Sequence, residues 1–169
     1  DWTLSTHLGD WAFVTGANGN AEEGTNLSVG GLQPAAGTAF TAYLAKVTAE
    51  MADVLFEKTG DARYTAEAAK YRDLFEKIRT DFNARWWDEA RGFDAETPTR
   101  ELRQGFQAWA IGCGLVEEEN RLALMEKLAD DVSVTRRGHA MIGFVGMRWL
   151  WPVLSDAAHL GVPHAKDAL

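Results

Sequence analysis

The chain has 169 residues, of which 46% are apolar, and a formal net charge of -8, so one domain with a buried core is expected and extensive disorder is not. No basic cluster is longer than Arg136-Arg137 and no apolar run approaches the ~18 residues of a membrane helix, so we expect no nucleic-acid or membrane partner. Cys113 is the only cysteine, which excludes an intrachain disulfide.

Residues 1–35 are rich in Gly, Asn and Thr and show little periodicity, which predicts a long loop. From Thr38 onward apolar residues recur at spacings of three and four, which predicts an amphipathic helix that ends at Gly60. Asp61 is a good N-cap for a second helix, and the short turn between the two helices predicts that they are antiparallel. The predicted apolar faces are Phe40, Leu44, Val47, Met51 and Leu55 in the first helix, and Tyr64, Tyr71, Leu74, Phe75, Ile78 and Phe82 in the second.

The next segment, residues 85–93, contains two adjacent tryptophans and a turn sequence, which predicts a short hairpin. Trp86 and Trp87 are expected to pack within that hairpin rather than to bind a ligand. A third helix is predicted over residues 103–111. Its inward-facing aromatic residues are expected to be Phe106 and Trp109.

A fourth helix is predicted from Glu117 to about Val132. Glu117, Glu118 and Glu119 fall in its first turn, where the helix dipole favours acidic side chains, so this acidic run is interpreted as a solvated helix start. The predicted buried face consists of Leu122, Met125, Leu128, Ala129 and Val132.

Three glycines punctuate residues 138–146, and this segment, which also contains His139, is predicted to be a loop beside a ligand cleft. A fifth helix is predicted over residues 150–158. Because Pro152 is tolerated only in the first turn of a helix, this helix is expected to start near Trp149.

A sixth helix is predicted to begin at Pro163 and to be cut at Leu169. The chain also begins at Asp1 without a methionine, so we expect an internal piece of a longer polypeptide. Helical hairpins with short turns at one end and long loops at the other predict an all-α fold, as in a helical toroid with one functional face.

Motifs distributed along nearly the whole chain resemble the catalytic domain of bacterial α-L-rhamnosidases. They are Gly9-Asp10-Trp11, Thr41-Ala42-Tyr43, residues 81–88, Gly114-Leu115-Val116, Gly138-His139, Gly143-Phe144-Val145-Gly146 and residues 150–155. The resemblance implies the six-hairpin (α/α)6 toroid, of which residues 1–169 would form a fragment of one domain, truncated at both ends.

The resemblance also implies inverting hydrolysis of terminal α-L-rhamnosyl bonds in glycosides or polysaccharides. Inversion uses one carboxylic acid and one carboxylate, roughly 6.5 to 9.5 Å apart. No stretch of this chain resembles the motifs that carry the acid or the base in this family. We therefore expect no catalytic residue, no cofactor and no metal in this chain, and we expect an inactive fragment that depends on the rest of its parent polypeptide.

The residues expected to bind the rhamnoside are Asp10, Trp11, Tyr43 and His139. An Asp beside a Trp suits a sugar, because the carboxylate accepts hydrogen bonds from hydroxyl groups while the indole stacks on the ring. By the family pattern, Tyr43 lines the pocket from the start of its helix and His139 sits at the rim. Structural interpretations stay open: the Asp10-Trp11 pair suits an ordinary turn with a core indole, Tyr43 suits a core position, and His139 suits a helix cap or a solvent-facing loop.

One departure from the family pattern is Met147-Arg148-Trp149, which places the charge of Arg148 near the pocket. Other functions also stay open. The chain could belong to another six-hairpin glycosidase, trehalase-like or debranching, or it could be a non-catalytic helical module that binds a protein. Nucleophilic catalysis by Cys113 is disfavoured because no His lies nearby in the sequence.

Overall fold

The protein is described by a computed structural model that covers residues 33–93 and 102–169. Within these ranges the chain forms five α-helices, one two-stranded hairpin and a π-helical turn, which confirms the all-α prediction. Asp10, Trp11 and most of the predicted N-terminal loop lie outside the described residues. The elements are α1 Gln33–Thr59, α2 Arg63–Trp86, β1 Trp87–Asp88, β2 Gly92–Phe93, α3 Gln104–Gly112, α4 Glu118–Asp130, the π-helical turn Asp131–Thr135 and α5 Phe144–His159.

The α1–α2 hairpin is closed by a capped turn, as predicted. The Asp61 carboxylate accepts a hydrogen bond from the backbone N–H of Arg63 at 3.0 Å and also pairs with the Arg63 guanidinium. These hydrogen bonds, first from the side chain and then from the backbone of Arg63, lower the pKa of Asp61. Helix α1 starts earlier than predicted, at Gln33 rather than Thr38, because Pro34 suits the first turn of a helix.

The buried face of α1 is built mainly from alanines; of the predicted apolar residues, Phe40 and Val47 are partly buried, and Phe40 packs against the core. Leu44, Met51 and Leu55 are 64%, 60% and 41% exposed, so the prediction that they form the buried face is wrong. Small side chains let α1 pack closely along its neighbours. The prediction was based on the spacing of bulky apolar residues and therefore did not include the alanines. The buried alanines of α1 are Ala35, Ala36, Ala39, Ala42, Ala45, Ala49 and Ala52.

We call Leu44, Met51 and Leu55 the apolar stripe of α1. A contiguous apolar surface in water promotes association, so the isolated 169-residue chain is expected to self-associate. Replacing all three residues by glutamine should shift the chain towards the monomer in size-exclusion chromatography coupled to light scattering.

The matched control for the apolar stripe replaces Leu122, Val134 and Leu160 by glutamine. These residues are similarly exposed but lie outside α1. The control should leave the degree of association unchanged. An equal shift in both triple variants, or a monomeric unsubstituted chain, would contradict a specific role for the stripe.

The centre of the described fold is α3, whose residues 104–111 are all buried. Phe106 and Trp109 are fully buried, as predicted. The predicted hairpin is also confirmed, with Trp87 opposite Phe93. Both tryptophans of this segment pack against aromatic rings: Trp86 lies 4.9 Å from Phe82 and Trp87 lies 5.1 Å from Phe93, measured between ring centroids.

Helix α4 turns a different leucine inward from the one predicted. Leu122 is 55% exposed and Leu124 is buried, because two residues along a helix lie on nearly opposite faces. The other four predicted positions are buried, but Val132 belongs to the π-helical turn that follows α4. That turn is closed by a hydrogen bond from the Arg136 N–H to the Asp131 carbonyl at 2.8 Å.

Helix α5 begins at Phe144, so the Gly143-Phe144-Val145-Gly146 motif enters a helix and is not the loop that was predicted. Pro152 lies in the helix interior, and because it lacks an N–H, the Arg148 carbonyl receives no intrahelical bond from it. Residues 163–168 form successive turns and not the predicted sixth helix.

Helices α1, α3 and α5 run in the same direction. Phe40 of α1 contacts Trp109 of α3, and further along both segments Lys46 approaches Gly114. The N-terminal end of α3 contacts the segment just before α5 through Gln104 and Met141, while its C-terminal end meets Trp149 at Gly112. The short connections, residues 60–62 and 113–117, therefore lie at one end of the helices. Residues 87–93, 102–103 and 131–143, the described parts of the longer connections, lie at the other end, which we call the long-loop end; this agrees with the predicted asymmetry.

Candidate functional site

The connection into α5 at the long-loop end, residues 136–143, is named the rim loop. Its start is fixed by the Gly138 N–H, which donates to the Val132 carbonyl at 2.8 Å, and by left-handed backbone at Arg137 and Gly138, with φ of 53° and 83°. Near its end Ile142 is buried. The rim loop is thus anchored at both ends while its middle reaches the surface.

His139 lies in this exposed middle. Its Nδ1 atom lies 2.8 Å from the Arg136 carbonyl oxygen and 3.1 Å from the Arg137 carbonyl oxygen. Both partners are acceptors, so we assign the proton to Nδ1. The Nε2 atom of neutral His139 can then accept a hydrogen bond from a hydroxyl group, which is a chemistry that suits a sugar.

A buried glutamine, Gln104 at the start of α3, holds the backbone next to His139. Its Oε1 accepts a hydrogen bond from the Met141 N–H at 2.7 Å, and its Nε2 donates to Asp131 Oδ2 at 2.7 Å. The same Nε2 lies 3.4 Å from the His139 carbonyl oxygen. Asp131 also lies near Arg136, with Oδ2 at 3.9 Å from Nε. The amide of Gln104 thereby joins the π-helical turn to the rim loop.

A second buried glutamine, Gln107, holds the other long connection. Its Oε1 accepts from the Phe93 N–H at 2.9 Å and its Nε2 donates to the Phe93 carbonyl at 2.7 Å. A β-carbon at Gly92 would lie 2.7 Å from Gln107 Oε1 and would clash with Leu124, and Gly92 has a φ of +77°. The hydrogen bonds between Gln107 and Phe93 of β2 therefore require glycine at position 92.

Sequence reasoning did not identify either glutamine. A usable pattern was present, because residues 104–112 contain no charged side chain. A helix without charges is buried on all sides, and its polar residues must then have internal partners.

Tyr43 lies in a different environment. It is the eleventh residue of α1, well inside the helix instead of at its start. Its half-buried ring meets the edge of Trp149, with ring centroids 4.9 Å apart, and Phe40 stacks on the same indole at 6.4 Å. The Trp149 ring lies directly against Gly112 at the C-terminal end of α3.

The structure does not bring Tyr43 and His139 into contact. His139 lies beside Gln104, at the first residue of α3, whereas Tyr43 lies level with Gly112, at its last residue. Eight residues of helix correspond to about 12 Å along the axis. Tyr43 is therefore deeper than His139 relative to the long-loop end.

The charged group of Arg148 lies beside Trp149, the indole that Phe40 and Tyr43 contact. Its guanidinium carbon lies 5.2 Å from the centroid of the Trp149 ring, within the range of a cation–π contact. The exposed Arg148 side chain therefore lies by Trp149 rather than at the rim loop.

Cys113 is buried in the short connection after α3. Burial raises the pKa of its thiol to about 12, although Lys46 and Arg148 oppose the shift. The thiol is therefore protonated at neutral pH, which disfavours it as a nucleophile.

A pH dependence follows from this buried thiol. An unfolded cysteine loses its proton near pH 8.5, whereas folded Cys113 keeps its proton until about pH 12. Between these values the folded state binds more protons than the unfolded state, so the contribution of Cys113 to the free energy of unfolding falls as the pH rises. Replacing Cys113 by alanine should remove this component of the alkaline loss of stability, measured as the denaturation midpoint between pH 8 and 10.5. A wild-type-like slope in that variant would contradict the assignment.

Within the described residues, no group of three or more His, Cys, Asp or Glu side chains is arranged to hold a metal ion. None of the helices in residues 33–93 and 102–169 combines the length and apolar character that a membrane crossing requires.

The chain is similar to known proteins in sequence and in fold. The family described as bacterial alpha-L-rhamnosidase 6 hairpin glycosidase domain matches residues 1–165. The alpha-L-rhamnosidase from Dictyoglumus thermophilum superimposes with a TM-score of 0.69 and 18% identity, covering 99% of this chain and 16% of that protein. The Streptomyces avermitilis alpha-L-rhamnosidase, solved in complex with L-rhamnose, has a TM-score of 0.65 and 25% identity, covering 98% of this chain and 13% of that protein. The chain thus spans about a sixth or less of either solved protein, and no curated protein matches it.

Proposed function

This chain belongs to the bacterial alpha-L-rhamnosidase six-hairpin glycosidase domain family, and from that membership we propose that it takes part in the hydrolysis of terminal α-L-rhamnosyl bonds. The observation that carries the proposal is the match over residues 1–165, nearly the whole chain. The long-loop end supports it, because loops held by rigid helices commonly carry the binding residues of a fold. We further propose that residues 1–169 are one arc of a single (α/α)6 toroid.

The proposed reaction inverts the anomeric centre, with a carboxylic acid that protonates the leaving oxygen and a carboxylate that activates water. Both groups are proposed to lie in the parent polypeptide outside this chain. In support, no stretch of this chain resembles the motifs that carry the acid or the base in this family.

The proposed sugar-binding residues are Asp10, Trp11, Tyr43 and His139. His139 would accept a hydrogen bond from a sugar hydroxyl through Nε2, at the rim of the site. Tyr43 would contribute from deeper in the fold, where its ring contacts Trp149. Asp10 and Trp11 would supply a hydroxyl acceptor and a stacking surface, respectively.

The test is hydrolysis of an aryl α-L-rhamnoside by the parent protein and by the 169-residue chain. The parent should be active, the isolated chain inactive, and the sugar first released by the parent should have the β configuration in a proton NMR time course. Activity of the isolated chain would place a catalytic carboxylate inside it. A parent that cleaves α,α-trehalose or another α-glucoside, but no rhamnoside, would assign the chain to another six-hairpin glycosidase.

A further inference from the structure

We infer that Gln104 is a positioning residue that holds residues 139–141 of the rim loop, so that His139 presents Nε2 at the sugar site. The inference rests on the proposed role of His139 in sugar binding. Its structural basis is independent of that role: the Gln104 side chain is buried, with 1% of its surface exposed, and it binds the loop backbone at Met141.

The chemistry of this position requires an amide. Oε1 must accept the Met141 N–H, and Nε2 must donate to the Asp131 carboxylate, so one neutral side chain needs an acceptor and a donor. Methionine has a similar length but supplies neither group. It would leave a buried N–H without its acceptor and remove one donor from Asp131, which is costly in a low-dielectric environment.

Gln104 connects the rim loop to α3 through its side-chain amide. The start of the loop is bound to the π-helical turn, through Arg136 and Gly138. The His139 ring is bound to carbonyl groups of its own loop, so the ring moves with the loop backbone. The bond from Met141 to Gln104 restrains the loop on the other side of His139 and fixes it to α3, so its loss is expected to change the orientation of Nε2 relative to the helices.

The test compares Gln104→Met with Gln107→Met in the parent protein. Gln107 is a matched control, since it is equally buried on the same helix but binds the backbone of Phe93. Hydrogen–deuterium exchange followed by mass spectrometry should show faster exchange, on the order of tenfold or more, for the peptide that contains Met141 in the Gln104 variant. The Gln107 variant should leave this peptide unchanged.

Kinetics provide the second readout. The Gln104→Met variant should raise KM for the aryl α-L-rhamnoside about tenfold and change kcat by less than about threefold, as expected for the loss of binding that is uniform in ground and transition states. Gln107→Met should lower thermal stability without this change in KM.

A Gln104→Glu variant tests the hydrogen bonds by their protonation. A protonated glutamic acid can accept from Met141 and donate to Asp131, whereas the ionised form faces the Asp131 carboxylate. The neighbouring charged groups are Asp131 on the π-helical turn, Arg136 on the rim loop and Arg103 on the preceding residue of the chain. KM of this variant, divided by the wild-type KM at the same pH, should fall towards one on acidification.

Two results would overturn the inference. One is unchanged exchange at Met141 in Gln104→Met, and the other is an equal rise in KM for the Gln104 and Gln107 variants. A parent protein that hydrolyses no rhamnoside would instead refute the proposed function. In that case the exchange experiment would still decide whether Gln104 positions the loop.

Discussion

The Phe82→Ala variant is expected to lose about 3–5 kcal/mol of unfolding free energy, the range found when a buried phenylalanine is truncated. Phe82 is fully buried on α2 and connects the helix pair to the hairpin and to α3. Removing its ring leaves a cavity and also removes the edge-on and tilted ring contacts around it. Its ring centroid lies 4.9 Å from that of Trp86, 5.0 Å from Phe93 and 5.7 Å from Phe106.

Guanidinium denaturation of the 169-residue chain, at one fixed protein concentration and followed by tryptophan fluorescence, would measure this loss. The control is Phe56→Ala, which truncates a phenylalanine that is 43% exposed on α1 and should cost much less. Similar midpoints for the two variants would contradict the central role of Phe82 in the core.

The Gly112→Ala variant is expected to lose about 1–3 kcal/mol, the usual cost of overpacking. Gly112 is the last residue of α3 and does not have a left-handed φ, so its backbone does not oppose alanine and a loss of stability would report on packing. A β-carbon at Gly112 would overlap the Trp149 indole, which cannot retreat freely because Phe40 and Tyr43 pack against it.

A double-mutant cycle tests this explanation. Trp149→Leu removes the clash, so Gly112→Ala should cost little or even stabilise the protein in that background. Thermal unfolding followed by circular dichroism would measure all four proteins. Additive effects of the two substitutions would show that the indole is not the obstacle.

Local patterns in the sequence predicted the elements whose determinants are close together in the chain. The Asp61 cap, the antiparallel α1–α2 pair and the hairpin with Trp86 and Trp87 all depend on residues within a few positions of one another. The family resemblance, carried by motifs spread over the chain, added the fold. The helix count was too high by one after Pro163, where turns replace the expected sixth helix.

Tertiary packing decided the features that were mispredicted. Leu44 and Leu122 match helical periodicity, but the contacting faces use alanines in α1 and Leu124 in α4. The start of α5 was placed too late because glycines and Pro152 argue locally against a helix. Of the candidate site, the sequence indicated His139 and its loop, while the partners of Gln104 lie 27 to 37 residues away and become visible only in the fold.

The hydrogen bonds of Gln107 also protect the outer edge of the small sheet. Phe93 directs its N–H and carbonyl towards Gln107, away from Trp87 on the neighbouring strand. A side-chain amide has the same donor and acceptor as a peptide group, so it occupies the place of a third strand. Unpaired strand edges recruit extended segments from other chains and lead to aggregation. At Phe93 both backbone groups of this edge are already hydrogen-bonded to Gln107, so they are not available to pair with a strand of another chain.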